Sequence, residues 1–344
     1  MAGVQFNLLS DSEKKQIFEA TAAAKGMTPF AVEKDWWVSR TLEMIFTMPA
    51  SKYLVFKGGT SLSKAWKLIS RFSEDIDLVI DKEFLLGPRQ YWSKKLIAEL
   101  CKYSSRYLND LFIDNLKKEF SQRYFKGLEF NFKAMQHSDP ALIEILYPNT
   151  INPSVDYLQP RINIEIGCRS LIEPYSIKKI NSFVDEYFPG KDFSQLAFEV
   201  PVVNPERTFL EKLFLLHEEF QKPAEKIRVS RLSRHLYDVY QLDRFGISEK
   251  ALADKELYQR IVSHRFQFTR VNQIDYNYHH PKLLDPIPKL IVMDAWRGDY
   301  EIMKQEMIYG DKKPTFEDLL MNLSNLRKAL QQLPWEFDLV FPSR

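Results

Sequence analysis

Cysteine is nearly absent: only Cys101 and Cys168 occur in 344 residues. Two thiols are too few for a disulfide framework and do not form a metal-knuckle spacing, which fits a reducing, cytoplasmic setting. No stretch approaches eighteen consecutive apolar residues, and the N-terminus MAGVQFNLLSDSEKKQIF lacks both an unbroken apolar run and a small-residue cleavage site. Neither a membrane span nor a secretory signal is expected. A strong net charge is also missing, since 48 Lys+Arg face 46 Asp+Glu. Bulk charge therefore implies neither nucleic acid nor membrane, and any nucleic-acid surface must be a local patch. His235 has no second histidine at metal-ligand spacing, and His279 and His280 precede a proline in a polar stretch, so zinc is not expected. No repeat or low-complexity tract appears. What is present is a 45% hydrophobic composition, enough for a substantial core in one bilobed unit or two domains.

Helices open the chain. Ser10 to Lys14 supply an N-cap and an acidic first turn before QIFEATAAA, and AVEKDWWVSRTLEMIF places Val32, Trp36, Trp37, Arg40 and Met44 at near-helical spacing. This second helix is expected to be amphipathic, with its tryptophans in the core. The stretch from Tyr53 to Phe56 reads as a buried strand, Gly58 to Ser61 as a tight turn, SLSKAWKLI as a helix and DIDLVI as a second strand. Helices are expected near Arg89 to Tyr107 and Leu108 to Lys118. Texture turns β-rich in FNFKA, ALIEILYP and PRINIEIG, then helical in PERTFLEKLFLLHEEF, SRLSRHLYDVYQLDRF and FEDLLMNLSNLRKALQQL. The pattern predicts an α/β (α+β) first lobe over residues 1–195, a small mixed sheet flanked by helices. A mainly helical lobe over 196–344 is expected to close a cleft over the site.

Chemistry concentrates between the two early strands. Asp75 and Asp77 are two apart in a β-patterned segment, so their carboxylates point to one side while Ile76, Leu78 and Ile80 point to the other. Neighbouring carboxylates repel unless a cation lies between them, and Mg²⁺ favours such hard oxygen ligands. Gly58, Gly59, Thr60 and Ser61 begin a helix, where backbone N–H groups and hydroxyls form an anion cradle. Arg71, Ser73 and Lys57 are further candidates for phosphate contact. Alone, an Asp-x-Asp is usually a solvated face and Gly-Gly usually a turn; the ordered set of G-G-T-S, helix and R-x-S-x-D-h-D-h points to a nucleotide site. Ser61 and Ser63 lack a nucleophile elbow, which excludes serine hydrolase chemistry.

The run FKGGTSLSKAWKLISRFSEDIDLVI resembles the signature of the AbiEii/AbiGii-type nucleotidyltransferases, a branch of the DNA polymerase β-like superfamily that includes toxins of toxin–antitoxin and abortive-infection systems. The likeness runs from about Glu33 to Leu320. It implies that RTFLEKLFLLHE supplies Lys212 and SRHLYDVYQL supplies Asp238 to the site, and that AWRGDYEIMKQEMIYGDKKPTFEDLL forms the family's last helices. It further implies an NTP donor, Mg²⁺ or Mn²⁺, a cognate antitoxin encoded nearby and, as in some relatives, the 3′ end of tRNA as acceptor. On the residues alone, Lys212 can equally be a solvated lysine, and Asp238, in an aromatic, apolar helix, can be paired with Arg234 one turn earlier. The wider superfamily often adds a third carboxylate; Glu165, sharing a strand face with Asn163, is the candidate metal ligand or base.

Lys222, Lys226, Arg228, Arg231 and Arg234 concentrate positive charge before Asp238 and form a candidate RNA grip, or else a solvated basic face. Tyr276 and Tyr278 near Arg270 could stack on bases, or simply pack a loop on a helix. The expected reaction is transfer of a nucleoside monophosphate to an acceptor hydroxyl with release of pyrophosphate. Asp75 and Asp77 are expected to hold metal, Gly58 to Ser61 and Lys212 to hold triphosphate, and Asp238 to act as base or to orient metal. Binding of NTP without turnover, and transfer to protein or a small molecule, remain open on sequence.

Overall fold

In the computed structural model, residues 5–133, 139–152, 159–310 and 313–342 are described. Ala134 of the FNFKA strand, and Asp311 and Lys312 of the C-terminal motif, lie outside them. The chain divides into two compact units, one of Met1–Trp66 with Phe72–Val203, the other of Lys67–Arg71 with Asn204–Arg344.

The first unit is built on a mixed sheet of seven strands: β1 (Leu54–Lys57), β2 (Ile76–Ile80), β3 (Glu129–Lys133), β4 (Ala141–Leu146), β5 (Arg161–Gly167), β6 (Tyr175–Ile180) and β7 (Phe198–Val203). Their spatial order is β3-β4-β5-β2-β1-β7-β6. β2 is antiparallel to β1 and parallel to β5, so the central strands set Lys57, Asp77 and Glu165 side by side in register. Alternation then fixes the faces: Ile76, Leu78 and Ile80, with Ile162, Ile164 and Ile166, are fully buried, whereas Asp77, Asn163 and Glu165 look the other way.

Helices α1 (Asp11–Lys25), α2 (Pro29–Thr47), α3 (Gly58–Lys64), α4 (Lys82–Leu86), α5 (Lys94–Tyr107), α6 (Ile113–Gln122) and α7 (Phe183–Tyr187) complete this unit. The first begins with a full capping box, Ser10 and Glu13 satisfying each other's backbone N–H. α2 departs from the amphipathic expectation, because it is buried on nearly every side, its charged residues included. Trp36 and Trp37 are core residues as expected. Glu33, Lys34, Asp35 and Arg40 are tolerated inside because each meets a partner of opposite charge or a backbone donor. α3 also differs: the glycine turn is itself the first turn of the helix, which ends at Lys64 rather than Ile69. Lys67 lies in the left-handed region (φ 55°), a conformation that a helix cannot continue.

The second unit consists of α8 (Pro205–Gln221), α9 (Ser233–Arg244), α10 (Ile247–Ala253), α11 (Lys255–Phe268), α12 (Met293–Glu306) and α13 (Phe316–Gln331), with short 3₁₀ turns. Lys67–Arg71 joins it through the Tyr309 N–H on the Ser70 carbonyl (3.0 Å) and a bridge between Arg71 and Ile308. Among the described residues no helix is long and apolar enough to cross a membrane.

Candidate active site

Gly58 is the hinge of the first-unit site. Its φ of +77° is one that side chains disfavour, and a Cβ built there would overlap Asp77 Oδ2 and lie 2.7 Å from Asp77 Cγ. The Asp77 carboxylate therefore rests on bare backbone at the start of α3. Gly58→Ala is expected to lose about 1–2 kcal/mol from backbone strain alone and to push Asp77 out of place. Chemical unfolding with a parallel turnover assay would check both; a variant with full stability and turnover would show that the contact is dispensable.

Around that contact the loop is fastened by its own hydroxyls. Thr60 Oγ1 lies 2.9 Å from Ser73 Oγ and bonds the Asp75 carbonyl, while Ser61 Oγ donates to the Gly58 carbonyl (2.9 Å). Both side chains are fully buried. These hydroxyls, expected to meet phosphate, here hold α3 against the segment entering β2. Gly58 and Gly59 retain the place expected of them at the first turn.

Asp75 precedes β2, and its Oδ1 accepts from Asn163 Nδ2 (3.1 Å). Glu165 stands beside Asp77 on the next strand. Even so, among the described residues no three His, Cys, Asp or Glu side chains converge to hold a metal. The acidic neighbours are Asp77 and Glu165, because Asp75 is turned to an amide. Lys57, opposite Asp77 on β1, donates to Ser170 Oγ (3.1 Å).

Two buried ion pairs brace this segment from behind. Lys34 pairs with Glu74, next to Asp75, and donates to the Gln159 carbonyl (2.9 Å). Asp35 pairs with Lys64 at the end of α3 and accepts the Phe183 N–H (2.8 Å). Burial pushes the Asp35 carboxyl up and the Lys34 amine down, so each pair holds its charges only through good geometry. Sequence reasoning missed these residues. The available signal was three consecutive charges, Glu33 to Asp35, in a helix flanked on all sides by apolar and aromatic residues.

In the second unit Asp238, fully buried, accepts from Arg71 Nε (2.7 Å) and Nη2 (2.8 Å) and pairs with Lys212 Nζ (2.9 Å). Burial alone would raise its pKa, but the guanidinium and ammonium more than offset it and hold the carboxyl far below the ordinary range. Two expectations change here: the partner of Asp238 is Arg71, not Arg234, and Lys212 is buried, not solvated. Arg71, expected at phosphate, here directs Nε and Nη2 to this carboxylate. Held by both cations, the Asp238 carboxylate is placed to orient Arg71 and Lys212. His235 Nδ1 lies 3.4 Å from Lys212 Nζ, and burial, reinforced by that ammonium, keeps the imidazole neutral.

Part of the basic cluster is engaged within the fold. Lys222 and Arg228 both bind Glu219 (2.7 and 2.8 Å), Lys226 reaches Gln273 (3.2 Å), and the backbone N–H of Arg231, not its guanidinium, donates to Asp299 (2.7 Å). Glu219 thus offsets one unit of the cluster's charge, while the Arg228 side chain stays 64% exposed. Arg234 differs, since its Nε is buried without a partner among the described residues. Tyr276 is buried with its ring stacked on His279 (4.8 Å), which makes it core rather than a platform for bases.

Asp77 and Glu165 on adjacent central strands, with Asp77 seated against the glycine turn that starts α3, form the candidate site. The model of the family described as nucleotidyl transferase AbiEii toxin of type IV toxin–antitoxin systems matches residues 40–322, and the chain belongs to that family of toxin nucleotidyltransferases. The family implies an NTP substrate and a cognate antitoxin. Among solved structures, MenT4, a nucleotidyltransferase toxin from Mycobacterium tuberculosis H37Rv, is similar at 16% identity and a TM-score of 0.41, covering 94% of this chain and 100% of its own. JHP933 from Helicobacter pylori matches at 14% identity and a TM-score of 0.38, covering 85% and 90%. A nucleotidyltransferase from the same organism matches at 14% and 0.35, covering 86% and 96%. No curated protein matches the sequence.

Proposed function

We propose that this toxin transfers a nucleoside monophosphate from an NTP to the 3′ hydroxyl of tRNA in the cytoplasm, with a divalent ion, Mg²⁺ or Mn²⁺, held at Asp75 and Asp77. The observation that carries the reading is the Asp77 carboxylate lying against bare Gly58, between Lys57 and Glu165. Hard carboxylate oxygens suit such an ion, and Glu165, beside Asp77 on the next strand, is the candidate further ligand. When bound, the ion would polarise the acceptor hydroxyl and neutralise charge on the departing pyrophosphate.

The remaining work falls to the chain's own groups. The backbone N–H groups at Gly58 and Gly59 receive phosphate oxygens, and Lys57 adds charge on the same face. In the second unit, Asp238 fixes Arg71 and Lys212 in position, and Lys212 is the cation expected to meet a triphosphate. Asp238 is thus a positioning residue. Where it is not itself a ligand, Glu165 would take the proton of the acceptor hydroxyl.

Incubating the enzyme with Mg²⁺, total tRNA and each α-³²P-labelled NTP separately tests this. Label on tRNA that disappears when the 3′ end is blocked by periodate oxidation supports the assignment. Label found on protein or small molecules instead would overturn the acceptor.

A further inference from the structure

Asp75 stands one residue outside the strand ladder that carries its neighbour Asp77, because β2 begins at Ile76. Side chains hold it instead. Thr60 Oγ1 bonds its backbone carbonyl, and Asn163 Nδ2 donates to its Oδ1 (3.1 Å). The first of these bonds fixes the backbone of Asp75, and the second fixes its carboxylate.

Strand register explains why the donor is Asn163. β2 and β5 run parallel, with Ile76 opposite Ile164 and Asp77 opposite Glu165. One step back along both chains brings Asp75 level with Asn163, and residues two apart on a strand share a face. At one level, then, a carboxylate stands beside a carboxylate, and at the next a carboxylate stands beside an amide. A fourth carboxylate at position 163 would add like-charge repulsion, whereas a neutral amide supplies an N–H. On its other side Asn163 is opposite Glu144 of β4. That carboxylate is already taken up by Lys133 (3.0 Å) and Arg161 (2.9 Å). The amide is therefore free to turn to Asp75, and its orientation is settled by this partner, since an ionised carboxylate can only accept.

Among the described residues this is the one side-chain hydrogen bond of the Asp75 carboxylate, and it engages Oδ1 alone. We propose that Asn163 is a positioning residue for the transfer reaction: by holding Oδ1 it sets the direction of the Asp75 carboxylate and leaves Oδ2 for the divalent ion. The inference rests on the reading that Asp75 and Asp77 hold that ion. Groups that grip a metal's ligands act through the orientation of the ligand, and their loss costs about 10–100-fold in metal affinity.

Electron paramagnetic resonance of Mn²⁺ added to the full-length protein, with no nucleotide present, reads this effect apart from turnover. Asn163→Leu keeps the branched shape of the side chain and removes its N–H. It is expected to raise the Kd for Mn²⁺ about 10–100-fold while the melting temperature in EDTA stays close to that of wild type. Asn163→Ala, which removes the amide without adding apolar atoms beside the carboxylates, should show the same loss. Asp77→Ala calibrates the site. If wild type binds no Mn²⁺, or Asp77→Ala binds it as tightly as wild type, the metal reading of the carboxylates fails and the role of Asn163 falls with it. If Asp77→Ala loses the ion while both Asn163 variants keep it, the metal reading stands and Asn163 has no positioning role. Tighter binding in the Asn163 variants would show an amide that competes with the ion for Asp75, and a fall in EDTA melting temperature alongside affinity in both would make its role structural. Either result overturns the proposal.

Discussion

Replacing Asp77 with alanine is expected to reduce nucleotide transfer at least about 10³-fold, several kcal/mol of barrier, while leaving the fold intact. Asp77 sits at the intersection of every first-unit feature: opposite Lys57, beside Glu165 and against Gly58. Removing its carboxylate takes away the oxygen donor that the glycine turn makes room for. Nothing in the core depends on it, because the apolar side of β2 is carried by Ile76, Leu78 and Ile80. Stability should hold or rise slightly, since a like charge beside Glu165 disappears. Label transfer, Mn²⁺ binding by electron paramagnetic resonance and thermal melting together decide the matter. Retained turnover would remove Asp77 from the chemistry, whereas lost turnover with a collapsed melting curve would make its role structural.

The part of this site that could be read in the sequence is the part built from local pattern. The alternation around Asp75 and Asp77, the glycines before a helix and the helical second unit all declare themselves within short windows. Strands β6 and β7 do not. Lys178 and Lys179 give β6 the polar look of an exposed edge strand, and Pro201 interrupts β7 at a position facing Ile177, where a proline argues against a central strand. The charges of α2 mislead for a different reason. Lys34 and Asp35 look solvated because their partners Glu74 and Lys64 lie 40 and 29 residues away, and no local rule links them. Asp238 shows the same limit: periodicity offers Arg234 one turn back, whereas the residue that meets it is Arg71, 167 positions earlier.

Asp238→Ala should cost about 3–5 kcal/mol of folding stability, because it leaves the buried Arg71 guanidinium and Lys212 ammonium uncompensated. Arg71 is 2% exposed and Lys212 7%, so water cannot replace the lost carboxylate, and the link from Lys67–Arg71 to the helical unit should loosen with it. The folded-state pKa of Asp238 lies far below its unfolded value of about 3.9. Its contribution is therefore fully present above the ordinary carboxylate range and fades only as pH falls from there through the depressed folded value. Wild type and variant should differ by a constant margin from neutral pH down to about pH 5, then converge in stronger acid. Guanidinium unfolding across that range measures the margin directly. A triple variant, Asp238→Leu with Arg71→Met and Lys212→Met, separates structure from chemistry: stability should return, since an apolar trio fills the space without stranded charge, while transfer stays absent for want of Lys212. If the triple variant regains turnover, the cations contribute nothing to handling triphosphate; if Asp238→Ala folds as firmly as wild type, the buried triad is not what joins Arg71 to α9.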